Sequence, residues 1–317
     1  MKILVTPTSM QEGKKSKAMD MLKSYSSDIV YNPYGRPLTE DELIPLLEDC
    51  DGYIAGLDEV TEKVLSRCKK LKVISRYGAG VDRVDLAAAK ANHIAVTNTP
   101  GVNAVAVAEL AFALIFNLAR RISFLNERTK AGEWVRSTGM ELKGKTIGIL
   151  GLGAIGKYLA EFAQGVSMRV MAYDPYIDKD YAKEHNITVA TFDEVIEQAD
   201  IISIHIPLTP TTRHLINKAT IDKMKQGALL INTSRGGIID EEAAYDALVN
   251  HRLGGLGLDA FEVEPPTGSP LFHLDNVVVT PHTGAHTKEA IDNMANLSVE
   301  NLINVLNGND CKYILNS

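Results

Sequence analysis

Cysteine is scarce in this sequence: 317 residues contain three, Cys50, Cys68 and Cys311, far apart and without a C-x-x-C pair. That excludes a disulfide framework and a cysteine-built zinc cluster, and it suits a reducing cytoplasm. A surplus of basic charge is missing too, since the formal net charge is -7, so no nucleic-acid partner is expected. Long apolar runs are also absent. The N-terminal "MKILVTPTSM" is too short for a signal-peptide core. The most apolar segment, "VNAVAVAELAFALIFNLARR" from Val102, is broken by Glu109 and Asn117 and falls short of the roughly 20 apolar residues of a membrane helix. It reads as a buried or interfacial helix, with no membrane partner. There is no internal repeat and no low-complexity tract. What remains is an ordinary globular composition, and the length suits two domains of roughly 100 to 200 residues each.

Short β-branched runs alternate with amphipathic ones, the pattern of parallel sheets with crossover helices. In the first third the expected strands lie in "KILVTP", "DGYIAG", "LKVISRYG" and "HIAVTN"; a second series lies in "KTIGILGLG", "RVMAYDP", "DIISIHIP", "GALLINTS", "GGLGLDAF" and "NVVVTPH". Six strands are enough for a complete dinucleotide-binding domain. The Pro- and Gly-punctuated stretch "NTPGVNAVA" at 98–106 marks the boundary. After His286 an amphipathic run ends at Gly308, as a helix should, and with no strand left to pair it the tail is free to return to the first domain.

"TIGILGLGAIGKYLAEFA" places Gly151, Gly153 and Gly156 in the G-x-G-x-x-G arrangement, directly after an apolar strand and before a helix. Gly151 permits the tight turn, Gly153 lets a pyrophosphate approach the backbone, and Gly156 lets helix and strand pack closely. The next strand ends at Asp174, 23 residues beyond Gly151, near the separation expected for the acid that takes the ribose hydroxyls. A carboxylate there repels a 2′-phosphate, and Pro175-Tyr176 supplies no compensating arginine, so NAD is favoured over NADP. The plain alternatives are a tight strand-to-helix turn and an ordinary acidic turn residue before proline.

Three ionisable residues emerge from strand ends on one rim of the second sheet. Arg235 follows "GALLIN", Glu264 follows "LGLDAF" in a Pro-containing loop, and His282 follows "VVVTP". Each alone has a bland reading, as a cap, a solvated acid or a structural histidine; together they suggest a site. Hydride transfer to a ketone needs a proton for the oxygen, which histidine suits, and a carboxylate nearby favours the imidazolium. Arginine grips a carboxylate with two parallel hydrogen bonds. A 2-oxo acid fits that trio. His282 and His286 are four apart, but Thr283, Gly284 and Ala285 between them supply no glutamate base and no further ligand cluster is visible, so no metal is expected.

With these residues in view, the chain resembles the D-2-hydroxyacid dehydrogenase family, and within it the D-3-phosphoglycerate dehydrogenase branch of serine biosynthesis. The resemblance covers nearly the whole length and rests on "SRYGAGVDRVDLAAA", "NTPGVNAVAVAELA", "GILGLGAIG", "AYDP", "IPLTPTTRHLIN", "LINTSRGGIIDEEA", "LDAFEVEPP" and "TPHTGAHT". It implies two doubly wound parallel-sheet α/β domains: a smaller flavodoxin-like substrate domain, 1–99 completed by 285–317, and a Rossmann NAD-binding domain, 100–284. It implies catalytic roles for Arg235, Glu264 and His282, and cofactor contacts at Ala154, Ile155, Asp174, Ile206, Thr233 and Asp259, the last at the nicotinamide amide. It also implies that Gly78, Ala79 and Gly80 offer backbone N–H groups to the substrate carboxylate, and that a homodimer forms through the helix around 103–119. Similar enzymes close a cleft between their domains. One departure bears on the substrate: where some members carry an arginine after the strand "DGYIAG", this chain has Gly56-Leu57, leaving Arg76 and Arg136 as candidates for a phosphate. The sequence ends at Ser317, where longer members continue, so feedback control by serine is not expected. The rival readings are a glyoxylate or hydroxypyruvate reductase and, in another class, an NAD-sensing corepressor. A formate dehydrogenase is disfavoured because Glu264 stands where those proteins resemble a glutamine variant.

Overall fold

The computed structural model describes residues 1–316, and the chain divides into two compact units: residues 1–103 together with the segment from His286 onward, and residues 104–285.

The first unit is built on five parallel strands, β1 (Lys2–Val5), β2 (Asp28–Tyr31), β3 (Gly52–Ala55), β4 (Val73–Arg76) and β5 (Ala95–Thr97), in the order β2-β1-β3-β4-β5. This is the flavodoxin-like winding, with its switch point between β1 and β3. The inner strands are apolar because helices cover both faces of the sheet. The expected series lacks β2, whose four residues lie at the sheet edge and are exposed or only half-buried. An edge strand need not carry the continuous apolar run that betrays an inner one. The helix Lys288–Leu306 belongs to this unit and lies against β3, β4, β5 and the helix Lys17–Tyr25. Its Ala295, Val299 and Leu302 join Ile3, Val5, Ile54 and Val73 in one buried cluster, and Ser75 donates its hydroxyl to the Ser298 carbonyl at 2.7 Å.

The second unit carries seven parallel strands: β6 (Thr146–Leu150), β7 (Arg169–Tyr173), β8 (Thr188–Val189), β9 (Ile201–Ile204), β10 (Ala228–Asn232), β11 (Leu253–Leu258) and β12 (Val277–Val279). Their order, β12-β11-β10-β9-β6-β7-β8, is the Rossmann winding with one more strand. The unexpected member is β8, two exposed residues at the edge, too short for any periodicity to reveal. The helix Ala104–Arg120 lies against β10, β11, β12 and the helix Ala154–Gly165, with Ala108, Ala111, Leu114 and Ile115 buried. Among the described residues no helix is long and apolar enough to cross a membrane.

Candidate active site

The switch point of the second sheet lies between β6 and β9, and the glycine turn begins where β6 ends. Gly151 has φ +99°, and a Cβ there would come within 2.7 Å of the His205 carbonyl oxygen, just beyond β9. A Cβ on Gly156 would stand 2.2 Å from the Gly151 carbonyl, so the first turn of the helix Ala154–Gly165 closes on the loop only without side chains. Gly153 is different: nothing lies within 4 Å of its Cβ position, and as N-cap it gives no side-chain hydrogen bond to the helix. Asp178, Thr191 and Asp240 cap neighbouring helices through their side chains. The first N–H groups of this helix, at Gly153, exposed Ala154 and half-buried Ile155, receive no side-chain cap, which suits an anion.

Asp174 is tied to the same turn. Its carboxylate accepts from the N–H of Leu152 at 2.9 Å and of Tyr176 at 2.8 Å, so the ribose-binding candidate and the phosphate-binding candidate form one rigid corner. Ile206 is buried after β9 and Thr233 after β10. The Thr233 hydroxyl and the His205 Nδ1 are buried with no hydrogen-bond partner. Buried polar atoms are rarely left so, and these two lie in the residues following β9, beside the turn's own strand β6, and β10, the next strand along, where a bound dinucleotide brings polar atoms. His205 Nε2 is 2.9 Å from the Ser203 hydroxyl, and burial lowers the imidazole pKa to about 4, so it stays neutral. Together the cradle, the corner and the unmatched atoms fit NAD.

Three adjacent strands, β10, β11 and β12, deliver the ionisable trio. After β10 the chain turns around Asn232, which is buried: its side chain donates to the Arg235 carbonyl at 2.7 Å and accepts from the Ser234 N–H and hydroxyl. Arg235 Nη1 donates to the Ser234 carbonyl at 2.8 Å. After β11 comes Asp259, 1% exposed, which organises the neighbouring loop: it accepts from the Thr280 hydroxyl at 2.6 Å and from the N–H groups of Thr283 at 2.7 Å and Gly284 at 2.8 Å. His282 lies within that loop at φ +52°, a conformation a non-glycine residue keeps only when its surroundings impose it. Its Nδ1 lies 2.9 and 3.0 Å from the two oxygens of Glu264. An Nδ1–H donated to the carboxylate fixes the ring orientation and leaves Nε2 as the atom that exchanges a proton. Neither side chain is sealed off, being 30% and 21% exposed.

In the first unit, Gly78, with φ +139°, donates its N–H to the Thr99 hydroxyl at 2.9 Å, pinning the loop that continues through Ala79 and Gly80. Arg76, a phosphate candidate, is 5% exposed and its Nη1 donates to the carbonyls of Ala55 and Tyr77, both at 2.9 Å. Its guanidinium is turned into the fold. Arg136 is exposed on the second unit. After β3 comes Asp58, which no motif singles out: 2% exposed, it accepts from the Leu38 N–H at 2.7 Å, the Tyr53 hydroxyl at 2.7 Å, the Gly56 N–H at 3.1 Å and the Thr6 hydroxyl. Those partners come from as far as 52 residues away, so only the folded chain reveals the network.

A parallel sheet with an uncapped glycine turn at its switch point and an acid at the end of the next strand is the mark of a dinucleotide-binding α/β protein. Comparison with known proteins narrows this. A family model described as the NAD-binding domain of D-isomer specific 2-hydroxyacid dehydrogenases matches residues 112–284. A D-3-phosphoglycerate dehydrogenase of Methanocaldococcus jannaschii is 41% identical over 283 residues, 88% of this chain and 54% of that protein. A glyoxylate reductase of Thermofilum pendens is 40% identical over 301 residues, 92% of this chain and 88% of that one. The apo-structure of D-lactate dehydrogenase from Escherichia coli superposes with a TM-score of 0.85 at 32% identity, covering 99% of this chain and all of that one. The chain belongs to the D-isomer specific 2-hydroxyacid dehydrogenase family. It spans about half the length of the phosphoglycerate dehydrogenases it matches.

Proposed function

We propose that the chain is an NAD-dependent oxidoreductase interconverting a D-2-hydroxy acid and its 2-oxo acid. The observation that carries this reading is the paired contact of His282 Nδ1 with Glu264, set at the strand-end rim that also bears the glycine turn. Bound NAD supplies or accepts the hydride. Arg235 holds the substrate carboxylate through its paired donors and stays charged at any working pH. His282 gives a proton from Nε2 to the carbonyl oxygen during reduction and takes it back during oxidation. Glu264 keeps the ring aligned and Nδ1 protonated. The second unit acts as the NAD-binding domain, with Asp259 near the nicotinamide amide, and the first acts as the substrate domain, offering its Gly78–Gly80 loop.

For the substrate, D-3-phosphoglycerate is supported by the names of relatives at 38 to 41% identity. Glyoxylate or hydroxypyruvate is a second reading. It is favoured by Gly56-Leu57 after β3, by the inward-turned Arg76, and by a reductase that matches over 88% of its own length. A homodimer through the helix around 103–119 is part of the proposal, supported by Val105, Phe116, Ile122, Trp134 and Val135 exposed on that unit. So is a cytoplasmic setting, supported by three unpaired thiols.

The test is absorbance of NADH with purified protein and a panel of 2-oxo acids, against 3-phosphoglycerate with NAD. Turnover is expected, with His282→Ala lowering kcat roughly 10²- to 10⁴-fold. Tight NADH binding without turnover of any acid would replace the enzyme by a nicotinamide sensor.

A further inference from the structure

The loop that carries Arg235 and the loop that carries Glu264 meet behind the trio. Gly236 is the point of closest approach: a Cβ there would lie 1.8 Å from the Phe261 carbonyl oxygen and 2.6 Å from the Glu262 nitrogen, so the two backbones are in direct contact. One turn further on, the chain enters the helix Glu241–Val249, started by Asp240, whose side chain accepts from the Ala243 N–H at 3.1 Å. At that start two acidic residues bind each other's backbone. Glu241 accepts from the Glu262 N–H at 2.7 Å, and Glu262 accepts from the Glu241 N–H at 3.1 Å. The neighbouring Phe261 N–H donates to Glu264 at 3.2 Å, so the clamped segment also holds the carboxylate that faces His282.

Two carboxylates side by side repel, and the surroundings register it. Burial raises the Glu241 pKa, the Glu262 N–H draws it down, and the charges of Glu262 and Glu264 raise it again. His214 Nε2 is buried 3.1 Å from Glu262, out of line for a hydrogen bond. An arrangement that gathers three acids on two touching loops is not what solubility alone requires. Its geometric result is a fixed spacing between the segment ending in Arg235 and the segment ending in Glu264.

We propose that Glu241 and Glu262 are positioning residues: a reciprocal side-chain-to-backbone clamp that sets the separation of Arg235 and Glu264, and through Glu264 the orientation of His282. This inference rests on the functional reading above. The clamp acts through acceptor geometry, and a glutamine carbonyl oxygen can accept the same N–H.

The experiment compares Glu241→Ala, Glu262→Ala and Glu241→Gln in the full chain, with His282→Ala alongside. Either alanine is expected to lower kcat roughly 10-fold, as sub-ångström misplacement does, while KM for NADH stays within about twofold; Glu241→Gln is expected to restore kcat. A second readout needs no turnover: the downfield proton resonance of the His282 Nδ1–H, assigned by its loss in His282→Ala, should broaden in both alanine variants and persist in the glutamine one. Unchanged kcat and an unchanged resonance in the alanine variants overturn the clamp. Equal loss with glutamine and alanine also overturns it, because charge would then be the agent. If His282→Ala itself keeps full activity, the failure lies in the functional reading, and the resonance still decides the clamp.

Discussion

The two sheets end in contrasting ways at their carboxyl edges. In the first unit, the loop after β3 closes on itself: both Asp58 oxygens are engaged by four donors, the Thr6 hydroxyl donates to that carboxylate, and Thr6 itself accepts the Gly56 N–H at 2.9 Å. In the second unit, the corresponding rim leaves the Thr233 hydroxyl and His205 Nδ1 unmatched and the Gly153 amides uncapped. A polar group that the fold satisfies internally is architecture. One that the fold buries and leaves open is prepared for something that arrives later.

Breaking that contrast in the first unit should give the largest effect. Asp58→Ala leaves the Leu38 N–H without its acceptor and takes one partner each from the Gly56 N–H and the Tyr53 and Thr6 hydroxyls in a closed interior; it should cost about 3–5 kcal/mol of stability while NADH affinity changes less than about twofold. Urea unfolding paired with an NADH titration separates the two outcomes; a large loss of affinity at unchanged stability would reverse the assignment of the two edges.

His205 lies between the extremes. Its ordinary pKa of 6.5 is lowered to about 4 by burial, so between those values the unfolded chain binds a proton that the folded chain refuses. The stabilising effect of keeping it neutral is present above about pH 6.5 and is lost as pH falls towards about 4, with a magnitude of about 2–3 kcal/mol. His205→Gln should flatten this part of the stability profile. A wild-type urea midpoint that stays level from pH 7 to 4 would contradict the burial described.

The smallest effect sharpens the comparison most. Thr233→Val removes a hydroxyl that has no partner in the protein, so stability should move by less than about 0.5 kcal/mol, while NADH binds roughly fivefold more weakly for one lost hydrogen bond of about 1 kcal/mol. Stability that falls by as much as the binding energy would make Thr233 an ordinary interior residue.

The second rim was far more legible in the sequence than the first. Gly151 to Gly156, Asp174, Arg235, Glu264 and His282 all follow apolar runs whose ends can be read, and the roles proposed for them rest on residue type and order along the chain. The Asp58 network reaches Leu38 and Thr6, 20 and 52 residues away, and the Asp259 bonds to the His282 loop and the Glu241–Glu262 clamp also join positions 20 or more residues apart, so no partner signals the contact by itself. β2 and β8 escaped for a related reason: edge strands with half-exposed or exposed residues carry little apolar signal. Arg76 shows the limit in the other direction, because its charge suggested a ligand and only its carbonyl partners show it serving the backbone.

The helix Lys288–Leu306 has a consequence for how the protein matures on the ribosome. One face of the first sheet has the helix Lys17–Tyr25 on it early but stays incompletely covered until Ala295, Val299 and Leu302 have been made, although its strands all precede the second unit. The second unit, continuous in sequence, has every strand it needs before that helix emerges. The second unit can therefore complete its core before the first, whose sheet waits for its last helix.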